Sequence, residues 1–225
     1  MENATLEFLR QKLSFWDQLS AAEQQALSAN TTPCKYSAGQ NIHSASNQCV
    51  GVLLIQSGEL RTYMLSGDGR EITLYRLSQG DVCILSASCM LHNIAFDVFI
   101  DAERDAEVLM VNAAYFSRLL GQNVYAENFA LKIAADAFSE VMWTMEQILF
   151  MRFDKRLAIF LLDETAKTGN DTLRLTHEQI ARYMGSAREV VSRMLKYFEK
   201  EGIVQLVRGA VEVASRAKLK EIAGV

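Results

Sequence analysis

The sequence lacks most of what marks exported, membrane-bound or metal-dependent chains. Apolar runs such as residues 158–162 fall far below the roughly 18 residues a bilayer span requires, so no membrane passage is expected. The opening Met1-Glu2-Asn3-Ala4 has neither the basic flank nor the apolar stretch of a secretory signal, so export is not expected and the cytosol is the expected compartment. Only four cysteines are present, Cys34, Cys49, Cys83 and Cys89. None forms a CxxC pair, and in a reducing compartment they read as small buried hydrophobes. With 50% hydrophobic and 22% charged residues and a net charge of −4, the composition excludes a disordered or collagen-like chain. The 225 residues allow one large domain or two ordinary ones.

The small net charge conceals an asymmetry. From Met151 onward there are 14 Lys and Arg against 10 Asp and Glu, a balance of +4 that leaves −8 for residues 1–150. A small basic part after a larger acidic one suggests that the second faces a polyanion and the first does not.

The first thirty residues read as two short helices: Leu6, Leu9 and Leu13 recur at helical spacing, and Ser20-Ala21-Ala22-Glu23 has the form of a capping box. From Cys34 to about Asn112 short apolar or alternating runs predict strands at 51–55, 59–65, 71–77, 98–100 and 107–111. Gly67-Asp68-Gly69, Ser57-Gly58 and Gln79-Gly80-Asp81 supply turns. Strands at this spacing predict a barrel or sandwich. Between about Val124 and Phe150 there is neither Gly nor Pro, and Leu131, Ala135, Phe138, Met142, Met145 and Leu149 follow one another by 4, 3, 4, 3 and 4 residues. Such a heptad seam wants a partner helix, and the simplest partner is the same helix in a second copy of the chain. Phe129, Ile133, Val141 and Ile148 give the helix further apolar surface for its own domain.

After a helix from Met151 to about Lys167, Thr168-Gly169-Asn170-Asp171 breaks the pattern. Thr176-His177-Glu178-Gln179 caps a short helix through Met184, Gly185 turns the chain, and residues 188–200 form a second helix ended by Gly202. Ala181, Gly185 and Val191 have the separations of a helix-turn-helix. Residues 203–207, a turn at Arg208-Gly209 and residues 210–213 predict a two-stranded wing. On the second helix Val190, Val191, Met194, Leu195 and Phe198 make an apolar face, opposite Arg188, Glu189, Ser192 and Arg193. An Arg can pair with guanine O6 and N7, a Glu can accept from cytosine N4, and a Ser hydroxyl can do either. These four residues are the candidate base readers, with Thr176, Ser186 and Lys196 as candidate phosphate contacts. The alternative is a winged helix used for protein contacts.

The sequence resembles the regulator family of the cyclic-AMP receptor protein and the fumarate-nitrate regulator, CRP/FNR. The likeness rests on Phe15-Trp16-Asp17-Gln18-Leu19-Ser20, Gly58-Glu59-Leu60, residues 77–81, the long helix, and residues 175–181 leading to Arg188-Glu189-Val190-Val191-Ser192-Arg193. It implies an α+β chain: an effector-sensing jelly-roll β-barrel at 1–122, a dimerisation helix at 123–150 and a DNA-binding winged helix from 151 to 225. It further implies a cytoplasmic homodimer on a double-stranded palindromic operator with TTGAT-like half-sites, with RNA polymerase as a partner if the protein activates. Where members that bind cyclic AMP carry Gly-Glu and later Arg-Ser or Arg-Thr, this chain has Ile84-Leu85 and Ala95-Phe96-Asp97. An apolar site with an Asp repels a phosphate, so no response to cyclic AMP is expected. Residues 1–33 hold no Cys, against an iron–sulfur cluster. Tyr63, Tyr75, Ile84, Leu85, Met90 and Leu91 either line a site for an uncharged or weakly polar small-molecule effector or simply fill the barrel. Cys83 and Cys89 with His92 read as core or loop thiols and not as a sensor. With His43 and His92 the only barrel histidines, and no His-x-His pair, a metal enzyme is not expected, nor is any catalytic residue, metal or cofactor.

Overall fold

The computed structural model describes residues 3–44, 50–84 and 97–225. They form two compact units, one of residues 1–65 and 74–141, the other of 66–73 and 142–225, so the division falls inside the long helix.

The first unit opens with α1 (Asn3–Lys12), a 3-10 turn (Trp16–Gln18) and α2 (Ala21–Ala29). The predicted capping box starts α2: the Ser20 hydroxyl accepts from the Glu23 amide, and the Glu23 carboxylate accepts from the Ser20 amide at 2.7 Å. Eight strands follow among the described residues: β1 (Thr31–Tyr36), β2 (Asn41–His43), β3 (Val52–Ser57), β4 (Glu59–Leu65), β5 (Glu71–Ser78), β6 (Val82–Cys83), β7 (Phe99–Ala102) and β8 (Ala106–Val111). They make two four-stranded sheets ordered β1-β8-β3-β6 and β2-β7-β4-β5. This is the double Greek-key order of a jelly roll. Gly58, at φ 88°, makes the tight β3–β4 turn, where a Cβ would fall 2.3 Å from the Asp105 carbonyl oxygen. Of the expected Gly67-Asp68-Gly69 turn, Gly69 alone takes a positive φ.

Alternation sorts the strand side chains into two cores. Leu53 and Ile55 of β3, Val108 of β8, Leu60 of β4 and Ile100 of β7 fill the space between the sheets. Val52, Leu54, Leu109 and Val111 face the other way and pack under α1, α2, α3 (Ala113–Leu120) and the start of α4 (Val124–Phe150). Because the sheet containing β3 and β8 is covered on both faces, β3 reads as an unbroken apolar run instead of an alternating one.

Of the expected effector lining, the described members Tyr63, Tyr75 and Ile84 do not share one face. Tyr75 packs against the core between the sheets. Tyr63 stands on the opposite face, stacked on Phe99 with ring centroids 5.5 Å apart and with the Arg61 guanidinium 4.0 Å over its ring. Ile84 belongs to the core under the helices, one residue after Cys83, which faces between the sheets. Successive strand residues point to opposite faces, so neighbours in sequence cannot line one cavity here. Leu85, Met90 and Leu91 lie outside the described residues, as do Cys49, Cys89, His92 and the 95–96 positions of the cyclic-AMP comparison.

The second unit contains the end of α4, α5 (Phe153–Thr168), β9 (Thr172–Leu173), α6 (His177–Met184), α7 (Arg188–Lys200), β10 (Val204–Val207), β11 (Ala210–Val213) and α8 (Arg216–Ala223). The wing has three strands where two were expected, since β9 pairs antiparallel with β11 to give the order β10-β11-β9. Helix α8, also not anticipated, is capped by Ser215 and buries Leu219 and Ala223 against the same core. Among the described residues no helix is long and apolar enough to cross a membrane.

Candidate nucleic-acid interface

Helix α6 begins where the sequence places it. The Thr176 hydroxyl accepts from the Gln179 amide at 3.2 Å, while the Gln179 side-chain oxygen accepts from the Thr176 amide at 2.9 Å. This reciprocal cap satisfies two amides that the helix start leaves without partners. It also engages the Thr176 hydroxyl in its own cap. At the other end Gly185 takes the left-handed conformation at φ 58°, and the Ser186 amide donates to the Ala181 carbonyl at 2.9 Å. The Arg156 guanidinium of α5 donates to the Met184 carbonyl, a cation on the negative end of α6. Nothing in the local sequence pairs Arg156 with that helix end.

The turn sets α7 across α6 over an apolar contact. Val191, Leu195 and Phe198 are fully buried against Ile180, Ala181 and Leu161, with Val190 and Met194 half-buried at the margin. This fixes the opposite face of α7 outward. Arg188, Glu189, Arg193 and Lys196 are exposed, and none has a hydrogen-bond or ion-pair partner among the described residues. Ser192, half-buried between the two faces, is different: its hydroxyl lies 2.8 Å from Nδ1 of His177, the first residue of α6. Burial first, and then the cations of Arg188 and Lys196, hold the His177 imidazole below its ordinary pKa. Thr176, His177, Glu178 and Arg188 line one side of a cleft of about 190 Å³ whose other side is the wing, at Val207, Gly209 and Ala210. Of the residues expected to act on DNA, all seven therefore lie on α7, at the start of α6, or in the turn joining them. His177 is the member the sequence reading left out, because a bond spanning 15 residues leaves no local pattern.

The long helix presents a second surface. Leu131, Ala135, Phe138, Met142, Met145 and Leu149 are all exposed, Phe138 by 65% and Leu149 by 64%. Phe129 is buried and Ile133 partly buried in the helical-side core, while Val141 packs against the core between the sheets. Phe129, Ile133 and Val141 thus pack within the chain, Ile148 is half-buried, and the seam residues face outward.

Comparison with known proteins gives the same architecture. The model of the cyclic nucleotide-binding domain matches residues 33–123 and that of the Crp-like helix-turn-helix domain residues 155–222. The chain is 40% identical to a crystal structure of a CRP/FNR-family protein from Eubacterium rectale ATCC 33656, covering 96% of this chain and 100% of that one with a TM-score of 0.92. It is 27% identical over 189 residues to the cyclic AMP receptor protein of Thermus thermophilus, spanning 84% of this chain and 86% of that protein. A CRP/FNR-family transcriptional regulator of the same organism, 19% identical, shares the fold at a TM-score of 0.69 over 85% or more of each chain: 86% of this one and 99% of the other. A helix-turn-helix with a bare charged face, a jelly roll and the helix between them thus coincide with relatives matched along almost their full length, and this chain belongs to the CRP/FNR family of transcription regulators.

Proposed function

We propose that the protein is a cytoplasmic homodimeric regulator that binds a palindromic DNA operator through α7, under the control of an effector sensed by residues 1–122. Residues 123–150 join the two copies and residues 151–225 carry the DNA contacts. Family members are DNA-binding transcription regulators. For this chain, the observation that carries the reading is the arrangement of α7: one face fully buried, the other bearing Arg188, Glu189, Arg193 and Lys196 without protein partners. Exposed cations beside a Glu and a Ser, at the N-terminal end of a helix set out by a turn, are what major-groove reading requires. Glu189, Ser192 and Arg193 read base edges, and Arg188 adds a guanine contact. Ser186, Lys196 and the start of α6 at Thr176 hold phosphates. The seam from Leu131 to Leu149 pairs with its copy, which sets the two recognition helices on half-sites about 34 Å apart. TTGAT-like half-sites follow from the likeness at Glu189, Ser192 and Arg193.

Labelled duplex carrying two TTGAT half-sites, titrated beside a scrambled duplex, tests this reading. Preferential, salt-dependent binding of the first is the expected result. Equal binding of both, or none, would leave the winged helix to protein contacts. Cyclic AMP is not the effector, since Leu85 and Phe96 stand where the family pattern has Glu and Arg. Calorimetry at micromolar cyclic AMP should therefore record no saturable binding.

A further inference from the structure

The contact between His177 Nδ1 and the Ser192 hydroxyl, 2.8 Å long, joins the first residue of α6 to the one base-reading candidate that is not fully exposed. A serine hydroxyl left to itself has one proton and two lone pairs and can turn to donate or to accept, so it tolerates several base edges. A hydrogen bond to a fixed neighbour removes that choice. A neutral imidazole carries one donor and one acceptor nitrogen, so the contact takes up either the hydroxyl proton, where Nδ1 accepts, or an oxygen lone pair, where Nδ1 donates, and Ser192 offers a base only the capacity that remains. Burial, and then Arg188 and Lys196 of α7, favour the neutral form of the ring, and Glu178, its neighbour on α6, also lines the adjoining cleft. The backbone end of the contact is equally fixed, since the reciprocal cap of Thr176 and Gln179 holds the start of α6 and the buried Val191 and Leu195 hold the turn of α7 that carries Ser192.

Resting on the DNA-reading role of α7, we propose that His177 is a positioning residue that holds the Ser192 hydroxyl in one hydrogen-bonding sense and so narrows the base edge it accepts. His177 itself need touch no base. Its effect is confined to the single base pair in each half-site that Ser192 meets, and it vanishes when Ser192 is absent.

Selection of bound duplexes from a randomised double-stranded library, followed by sequencing, tests this on the full-length protein. His177→Ala should lower the preference at one base pair of each half-site by about fivefold or more, the size of one good base contact, and leave the other positions as they were. His177→Asn, whose side-chain amide can replace Nδ1, should keep the original preference. In a Ser192→Ala background His177→Ala should change nothing further. A purely structural role for His177 would instead weaken binding to all sequences alike and add to the effect of Ser192→Ala, and either behaviour would overturn the proposal. The same library separates the two levels of inference. Should the unaltered protein enrich no motif, DNA reading by α7 fails and this proposal with it; should it enrich one that His177→Ala preserves at every position, only the coupling fails.

Discussion

One buried charge cluster of the jelly roll and the outer face of α7 use charge in opposite ways. In the jelly roll, Arg61, 1% exposed, has Asp101 at 3.7 Å and Glu103 at 3.5 Å and lies over the Tyr63 ring, and Arg76 meets Glu59 at 3.4 Å. On α7 of the second unit Arg188, Glu189, Arg193 and Lys196 stand in solvent without partners among the described residues, while Val191, Leu195 and Phe198 opposite them are buried in an apolar core. Charge that is already satisfied inside the chain holds structure, because desolvated ions are tolerated only when paired. Charge left bare over a rigid helix is available to something outside. The difference supports the proposed DNA contacts of the second unit and accords with its local surplus of +4.

The largest effect should come from the surface that serves neither purpose, the apolar seam of α4. Phe138→Glu sets a carboxylate in each copy against its equivalent, where neither has a cation to meet. Sedimentation should show monomers, and DNA affinity should fall with the loss of the second half-site. A mutant that still sediments as a dimer would remove the seam. Next in size is Arg61→Ala, which leaves Asp101 and Glu103 without their buried cation. Unfolding in denaturant should show a loss of about 3 kcal/mol, the lower end of what breaking a buried pair costs, with the charges on α7 untouched. If this variant instead keeps full stability and loses DNA discrimination, the contrast between paired and bare charge is wrong.

Acid should produce the smallest effect and reach both units. Burial lowers the pKa of His43, against the opposing pull of Asp97, and burial with Arg188 and Lys196 lowers that of His177. Both histidines titrate near 6.5 in the unfolded chain. Below that value the unfolded state binds protons that the folded state does not. Stability is therefore full above about pH 6.5 and declines as pH falls through it toward the folded values. Denaturation midpoints should drop between about pH 7.5 and 5.5, less so in His177→Asn. Unchanged midpoints would contradict the burial of these rings.

What was legible in the sequence follows the same division between local and non-local causes. The bounds of α7, and those of α4 approximately, could be read from the sequence, because the absence of Gly and Pro, the turn at Gly185 and the stop at Gly202 act within a few positions of the helix they delimit. Strand β4 was recovered at Glu59–Leu65 for a like reason, with Gly58 forced at its start. The two residues of β9 are strand only because β11 lies beside them, and Thr172 and Leu173 carry no pattern of their own. Strands β1 and β2 were passed over because Cys34, Lys35 and Asn41 do not read as strand without their partners β8 and β7. The two-residue period separates described members of the expected effector lining: Ile84 packs in the core under the helices, one residue after Cys83 in the core between the sheets, where Tyr75 also packs, and Tyr63 stacks on Phe99. Of the candidate interface, the residue types on α7 were legible from spacing alone, whereas the His177–Ser192 bond depends on how the turn folds α6 against α7.

In the proposed role, α7 reads sequence with one set of side chains and holds the DNA backbone with another. Binding of Arg193→Ala and Lys196→Ala to the half-site duplex and to its scrambled counterpart, between about 50 and 200 mM salt, tests it most directly. Arg193→Ala should lose roughly 1–3 kcal/mol of discrimination while keeping its salt dependence. Lys196→Ala should weaken both duplexes equally and reduce the salt slope by about one. If Arg193→Ala lowers affinity for both duplexes by the same factor, α7 does not read DNA and the bare charges on its surface serve another partner.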